Sequence, residues 1–313
     1  PLREIELKKS IESLDVINEP TSMKVRAQYE KNPYPRWRYS NILIPNNFFK
    51  FINNEILPNV ADHNNNFDKP NILIAGCGTG SQTILTTRYK NAKILGIDFS
   101  LASLAYAKRK SEEFGIENIE YLHADILQLK KLNKKFDIIE SSGTLHHMKN
   151  PLEGLKVLLD ILEPHGFLKL AFYSNTGREH VIKAREFIGK KNFKYTSDNL
   201  KLFRQEIINE KKELSYKEQF IISEDFYSTS GVRDLLFNVQ EHRFTIPEIS
   251  KILKDLNLEF LGFFFNNDLI KSRYSKLFPD DKKNISLDNW HQFEISNPNT
   301  FSAMYQFWVR KIQ

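Results

Sequence analysis

Short apolar runs recur through the first half of the chain, and each is followed by a stretch whose apolar residues return every three or four positions. The run "NILIAG" at 71–76 ends in glycine and suits a buried parallel strand. "SQTILTTRYK" at 81–90 reads as the helix that follows. "AKILGIDFS" at 92–100 is a second strand; Ser100 or Asp98 starts the helix "LASLAYAKRKSEEFG", which stops at Gly115. "IEYLHADIL" at 119–127 and "FDIIESSG" at 136–143 give strands three and four. "LEGLKVLLDILEPHG" at 152–166 predicts an amphipathic helix ended by Pro164 and Gly166, and "FLKLAFYS" at 167–174 a fifth strand.

Five strands alternating with helices within roughly a hundred residues predict a parallel sheet covered on both faces. After Ser174 the alternation stops, and 175–245 is polar, helical in pattern and mixed with aromatics. The rhythm returns with a helix at 246–258, a strand at 259–265 and a last strand at 300–311. The expected organisation is an N-terminal helical arm and lead-in (1–66), a Rossmann-like core (67–174), a helical cap insertion (175–245) and a return to the core (246–313). "NNNFDKPN" at 64–71 is the clearest linker, and no internal repeat is visible.

Composition changes this picture little. Of 313 residues, 41% are hydrophobic and 27% charged, which supports a globular core. No apolar run approaches the roughly 18–20 residues that span a bilayer. The charged start "PLREIELKKSIESLD" is unlike a signal peptide, and the single cysteine, Cys77, excludes an internal disulfide. A cytoplasmic protein is the expectation, with no membrane partner. The net charge of +6 comes from scattered lysines with acidic neighbours, so a solvated surface explains it better than a nucleic-acid track.

The chemistry gathers after the first strand. Gly76, Gly78 and Gly80 stand at alternate positions in "AGCGTG", where bare backbone can approach a ligand and free N–H groups open a helix. Asp98 ends the next strand and can accept both hydroxyls of a ribose. Asp125 ends the third, placed for an adenine amino group. A dinucleotide fingerprint needs glycine at 81 or 83, where the chain has Ser81 and Thr83. The tighter loop fits S-adenosylmethionine better.

The segments "ILIAGCGTG", "GIDFS", "HADIL", "FDIIESSGTLHHM" and "HGFLKLAFYS" together resemble class I S-adenosylmethionine-dependent methyltransferases, in family order and spacing over about residues 70–175. The resemblance implies a seven-stranded, mostly parallel sheet with an antiparallel last strand. It implies S-adenosyl-L-methionine as cofactor, with Gly76, Cys77, Gly78 and Gly80 forming the loop, Asp98 and Phe99 at the ribose, Asp125 and Ile126 at the adenine, and Ser142 near the amino-acid end. One departure stands out. The family's acid two positions before the first glycine is Ile74 here, so its task falls to another group, Ser142 or part of the arm. A narrower likeness, carried by "VRAQYEKNPYPRW", "GVRDLLFNVQEHRFT" and the tail, is to a bacterial group that often bears tetratricopeptide repeats; none is detectable here.

Methyl transfer from a sulfonium needs alignment of the acceptor and, where required, removal of its proton. His146 and His147 follow strand four and are the candidate bases, with Tyr173 at the end of strand five. Packing against the sheet or capping the next helix is the alternative role for the histidines. Tyr29, Tyr34 and Trp37, on an arm stiffened by prolines, and Tyr227, Arg233 and His242 in the insertion are candidate substrate contacts. The adjacent histidines diverge and no cysteine cluster is present, so no metal site is expected. Cys77 has no paired base and reads as a loop-packing residue. The sequence therefore points to methylation of a small-molecule N, O or S nucleophile enclosed by arm and cap. A protein or RNA acceptor, or a non-catalytic nucleoside-binding module, is the alternative.

Overall fold

A computed structural model describes residues 2–61, 67–209, 217–221 and 223–312. Its strands are β1 (Glu12–Ser13), β2 (Asn71–Ala75), β3 (Lys93–Asp98), β4 (Ile119–His123), β5 (Phe136–Ser142), β6 (Leu162–Tyr173), β7 (Leu258–Phe263) and β8 (Met304–Lys311). They form one sheet in the order β1-β4-β3-β2-β5-β6-β8-β7. All neighbours are parallel except β8, which runs antiparallel to both β6 and β7. The helices, with the short 3₁₀ turns left aside, are α1 (Leu2–Ser10), α2 (Pro20–Lys31), α3 (Phe48–Ile56), α4 (Ser81–Leu85), α5 (Leu101–Glu113), α6 (Pro151–Asp160), α7 (Glu179–Lys190), α8 (Ser197–Asn209), α9 (Lys217–Ile221), α10 (Glu224–Tyr227), α11 (Thr229–Leu236), α12 (Ile246–Asp255), α13 (Asp268–Leu277) and α14 (Leu287–Ser296).

The mostly parallel Rossmann-like sheet expected from the sequence is present. Strand β2 shows why the pattern dictates it. Ile72 and Ile74 point to one face, among Phe48, Ile52 and Trp308. Leu73 and Ala75 point to the other, among Leu155, Leu158 and Ile249. Side chains alternate faces along a strand, so an uninterrupted apolar run requires cover on both sides. The chain steps outward from β2 through β3 to β4, then returns to add β5 and β6 on the other side. The crevice at the carboxyl ends of β2 and β5 is thus the point where the strand order reverses.

Three features differ from the expectation. An eighth strand appears among the described residues, because the arm adds β1 beside β4 through the pairs Glu12↔Leu122 and Ser13↔His123. The helix expected to reach Gly166 ends at Asp160, and β6 begins at Leu162. The apolar series Leu158, Leu159, Ile161, Leu162 satisfies both periods, and Phe136 N–H bonding to the Ile161 carbonyl at 2.9 Å decides for the sheet. "EPHG" is an irregularity where the pairing shifts from Phe136↔Leu162 to Ile138↔Phe167. The third difference lies at 268–296, which the apolar rhythm left unassigned and which folds into α13 and α14.

The insertion leaves and re-enters the sheet at one place. Asn175 N–H bonds to the Phe244 carbonyl and Phe244 N–H to the Tyr173 carbonyl, both at 2.9 Å. Its helices bury a separate cluster that includes Val181, Phe203, Phe220, Phe226 and Val232. The cap therefore carries its own small core and sits over the carboxyl end of the sheet. Part of the expected 64–71 linker lies outside the described residues.

Candidate active site

One cavity of about 350 Å³ opens at the strand-order reversal. Its lining combines the β2 loop (Gly76, Cys77, Gly78), the β3 end (Asp98, Phe99), the β4 end (Asp125, Ile126) and the β5 end (Ser142, Thr144, His147) with Tyr29 and Tyr34 of the arm, Tyr173 of β6 and Asp234 of α11.

Gly76, Gly78 and Gly80 all have positive φ, at +79°, +52° and +83°. Only glycine adopts this region without strain, so the loop's path explains their presence. Gly76 and Gly78 face the cavity; Gly80 does not line it. A Cβ on Gly80 would stand 2.7 Å from Ala107 Cβ of α5, and one on Gly78 would stand 3.2 Å from the Tyr34 carbonyl oxygen. The third glycine thus allows close helix packing, and the second allows the arm to cross the loop. Three further bonds hold that crossing: Thr79 Oγ1 donates to the Pro35 carbonyl, Trp37 Nε1 donates to the Thr79 carbonyl at 3.1 Å, and Tyr106 donates to the Trp37 carbonyl.

Asp98 fixes the loop from the neighbouring strand. Its Oδ2 accepts from Gly78 N–H at 2.9 Å and its Oδ1 from Ser100 N–H at 2.8 Å. Burial pushes its carboxyl up to about 6, against the lowering effect of those N–H groups. Each oxygen retains a lone pair, so a ribose diol is a fitting further donor. Asp125 accepts from Leu127 N–H at 3.0 Å as the cap of the following 3₁₀ turn. Cys77 is buried beside Asp98, and burial raises its thiol well above the ordinary value, which keeps it from acting as a thiolate.

The acid absent at Ile74 has a counterpart one strand away. Glu140 of β5 is the register partner of Ile74 and is buried. It accepts from Gln82 Nε2 at 2.9 Å and from the Tyr89 hydroxyl at 3.0 Å, with Arg88 3.9 Å away. Gln82 Nε2 also donates to Ser142 Oγ at 3.2 Å. Both amide protons are thereby used, and the Gln82 carbonyl oxygen is the atom left over in a side chain that lines the cavity. Neither Gln82 nor Glu140 was singled out from sequence. A charged residue at the centre of the apolar run "FDIIESS" was the available signal.

The two histidines separate by role. His147 lines the cavity, and its Nδ1 lies 2.7 Å from the Gln240 carbonyl oxygen. A carbonyl only accepts, so Nδ1 carries the hydrogen and Nε2 is bare. Burial lowers the His147 pKa, partly opposed by Asp234. His146 is 0% exposed, stacks on Tyr173 with ring centres 3.6 Å apart, and does not line the cavity. Burial lowers its pKa well below the ordinary value.

Of the substrate candidates, Tyr29 and Tyr34 line the cavity and bridge arm to cap. The Tyr29 hydroxyl donates to Asp234 Oδ1 at 2.5 Å and the Tyr34 hydroxyl to Asp225 Oδ2 at 2.9 Å. The other four stand elsewhere. Trp37 stacks on Phe114 of the α5 end. Tyr227 is 58% exposed and donates to the Ile221 carbonyl. Arg233 lies over the Tyr195 ring at 4.0 Å, and His242 Nε2 is 2.9 Å from Gln240 Nε2. Which face of an insertion helix turns inward is not legible in its sequence, so residues on either face were candidates. Among the described residues no group of three His, Cys, Asp or Glu could hold a metal ion, and no helix is long and apolar enough to cross a membrane.

Comparison with known proteins agrees with this layout. Residues 72–166 match the family model described as "Methyltransferase domain". An uncharacterized protein of Synechococcus sp. is 26% identical over 247 residues, covering 72% of this chain and 56% of that protein. A ubiquinone biosynthesis O-methyltransferase of Ruegeria pomeroyi is 30% identical over 95 residues, 30% of this chain and 38% of the relative. Among solved structures, PKMT2 from Rickettsia typhi in complex with AdoHcy superposes with a TM-score of 0.63 at 18% identity, over 90% of this chain and 55% of that one. The chain thus spans a little over half of its longer relatives. Residues 72–166 thus resemble a methyltransferase domain, and the sheet that contains them has the Rossmann-like fold of the solved neighbour.

Proposed function

We propose that the chain is an S-adenosylmethionine-dependent methyltransferase acting on a small-molecule nucleophile enclosed between arm and cap. The observation that carries this is a cavity in which the nucleoside-binding residues and the arm and cap side chains share one lining. The fit to the cofactor is specific. The bare turn of Gly76 and Gly78 receives the body of the ligand, Asp98 the ribose, and Asp125 with Ile126 the adenine. The free Gln82 carbonyl oxygen, held by Glu140 and flanked by Ser142, suits the ammonium of the methionine moiety. When bound, the cofactor supplies a methyl group on a positively charged sulfur, already activated for displacement.

The chain's own residues then have limited work. Tyr29 and Tyr34 anchor the arm to the cap and exclude water from the reacting end. His147 presents a neutral Nε2 that accepts the acceptor's proton. Tyr173 aligns the acceptor with its hydroxyl, and His146 fixes the Tyr173 ring by stacking. The expected 175–245 unit acts as the substrate-side wall, and the "QYEKNPYPRW" arm as its strap. An acceptor on RNA or a protein surface would need an open approach; the tyrosine ties that draw arm and cap together support the small-molecule reading.

Incubation with S-adenosylmethionine and a metabolite extract should release S-adenosylhomocysteine. Release seen only with protein or RNA fractions would overturn the small-molecule reading. Absence of S-adenosylhomocysteine binding in calorimetry would overturn the whole of it.

A further inference from the structure

Asp234 is 8% exposed, yet it lines the cavity. Its Oδ1 accepts from the Tyr29 hydroxyl at 2.5 Å and from Asn238 Nδ2 at 3.4 Å. Among the described residues, Oδ2 takes no hydrogen bond and no lysine or arginine forms an ion pair with Asp234. The nearby cations have other duties. Arg178 pairs with Glu241 at 2.8 Å and lies 3.6 Å from the centre of the Tyr173 ring, and Arg233 sits on Tyr195. A buried carboxylate with one oxygen unmatched is costly, and a ligand that brings positive charge and N–H groups offsets that cost.

The surrounding donors are spent in the same way. The Tyr29 proton goes to Asp234, the Tyr34 proton to Asp225 and the His147 Nδ1 proton to the Gln240 carbonyl. Of these groups, three atoms stay open at the acceptor end of the cavity: Asp234 Oδ2 and His147 Nε2, which only accept, and the Tyr173 hydroxyl. His146 and Arg178 both lie 3.6 Å from the Tyr173 ring centre, so its faces are occupied and its hydroxyl is what it offers. Tyr29 joins the two ends of the cavity, its ring 6.3 Å from Phe99 and 6.5 Å from His147. The acceptor end is therefore rich in acceptors, negatively charged and walled by aromatic rings.

Resting on the methyltransferase reading, we infer that the methyl acceptor is a basic amine, held as its ammonium form by Asp234. An alcohol or thiol brings one proton and no charge, leaving the carboxylate uncompensated. A carboxylate or phosphate ligand is repelled. An ammonium supplies up to three N–H groups for the three open atoms, and aromatic walls favour a cation. One of its protons passes to His147 Nε2; the N–H bond pair stays on nitrogen as the lone pair that would bond the methyl carbon, while the carbon–sulfur bond breaks and its pair goes to sulfur, leaving neutral S-adenosylhomocysteine and a methylated ammonium.

Calorimetry with benzylamine and benzyl alcohol on protein saturated with S-adenosylhomocysteine tests this. Wild type should bind the amine at least tenfold more tightly than the alcohol, and Asp234→Asn should bring the ratio near one without changing S-adenosylhomocysteine affinity. Equal affinities, binding of neither probe, or a preference that survives in Asp234→Asn overturns the inference. If Asp234→Asn is unfolded at the assay temperature, Tyr29→Phe replaces it. That change removes the hydroxyl's bond to Oδ1 and leaves the Asp234 charge and Oδ2 in place, so the amine preference should persist, and its loss overturns the inference. Failure of wild type to bind S-adenosylhomocysteine overturns instead the reading beneath.

Discussion

Lowering the pH from 7.5 to 5 should weaken S-adenosylhomocysteine binding about tenfold through Asp98 alone. Burial pushes this carboxyl up to about 6 in the unliganded protein. At pH 5 about ten molecules in eleven then carry a proton on the group proposed to accept from the ribose. Removing it costs RT ln 11, or about 1.4 kcal/mol. The sign for folding is opposite. The folded pKa of about 6 lies above the unfolded 3.8, so the fold holds a proton that the unfolded chain has released. Stability from this group is full below pH 4 and is lost as pH rises through 6. The gap between the folded and unfolded values corresponds to roughly 3 kcal/mol, as an order of magnitude. Ligand and fold thus compete over one proton. Titration calorimetry in two buffers of different ionisation enthalpy should find about 0.9 proton released per ligand at pH 5 and almost none at 7.5. Asp98→Asn should bind more weakly and show no such dependence. A flat wild-type profile would refute the reasoning outright, and the same slope in Asp98→Asn would exclude Asp98 and move the titrating role to another group, such as His147.

Three further outcomes follow from the geometry. Gly80→Ala combines positive φ with a Cβ 2.7 Å from Ala107 and should cost about 2–4 kcal/mol, whereas Gly143→Ala, also at positive φ but in open space, should cost only about 1–2; denaturant melts would show the difference. Gln82→Leu should weaken S-adenosylhomocysteine about tenfold but leave 5′-methylthioadenosine, which lacks the amino acid, unchanged in calorimetry. His147→Ala should lower kcat by about 10²–10⁴ with little change in KM for S-adenosylmethionine, read in a steady-state assay; His146→Ala should act through stability instead.

The sheet was legible because strands buried on both faces write themselves as apolar runs; β2 does so most cleanly, whereas β5 and β6 set Glu140 and Lys169 among apolar residues. The half of the cavity proposed for the nucleoside was legible for a related reason. Glycines at fixed offsets from a strand and acids at strand tips are local signals, and all of these residues except Gly80 line the cavity. The acceptor half was not. Asp234, Tyr29 and Tyr34 meet only because the arm folds back across the core to reach the insertion, at separations of about two hundred residues. Periodicity carries no information about such pairing, so Trp37, Tyr227, Arg233 and His242 looked as promising as Tyr29. The end of α6 was misread because its leucines satisfy helix and strand periods alike.

The crossing of arm over glycine loop also gives the molecule an optical gauge. The indole N–H of Trp37 donates to the carbonyl of Thr79, the residue after Gly78, while Trp290 and Trp308 are fully buried in other parts of the core. Any ligand that shifts the peptide at Thr79 must stretch or reset that bond, changing the polarity the indole senses. Emission from this one tryptophan would therefore track occupancy of the crevice proposed for the nucleoside, without label or coupling enzyme.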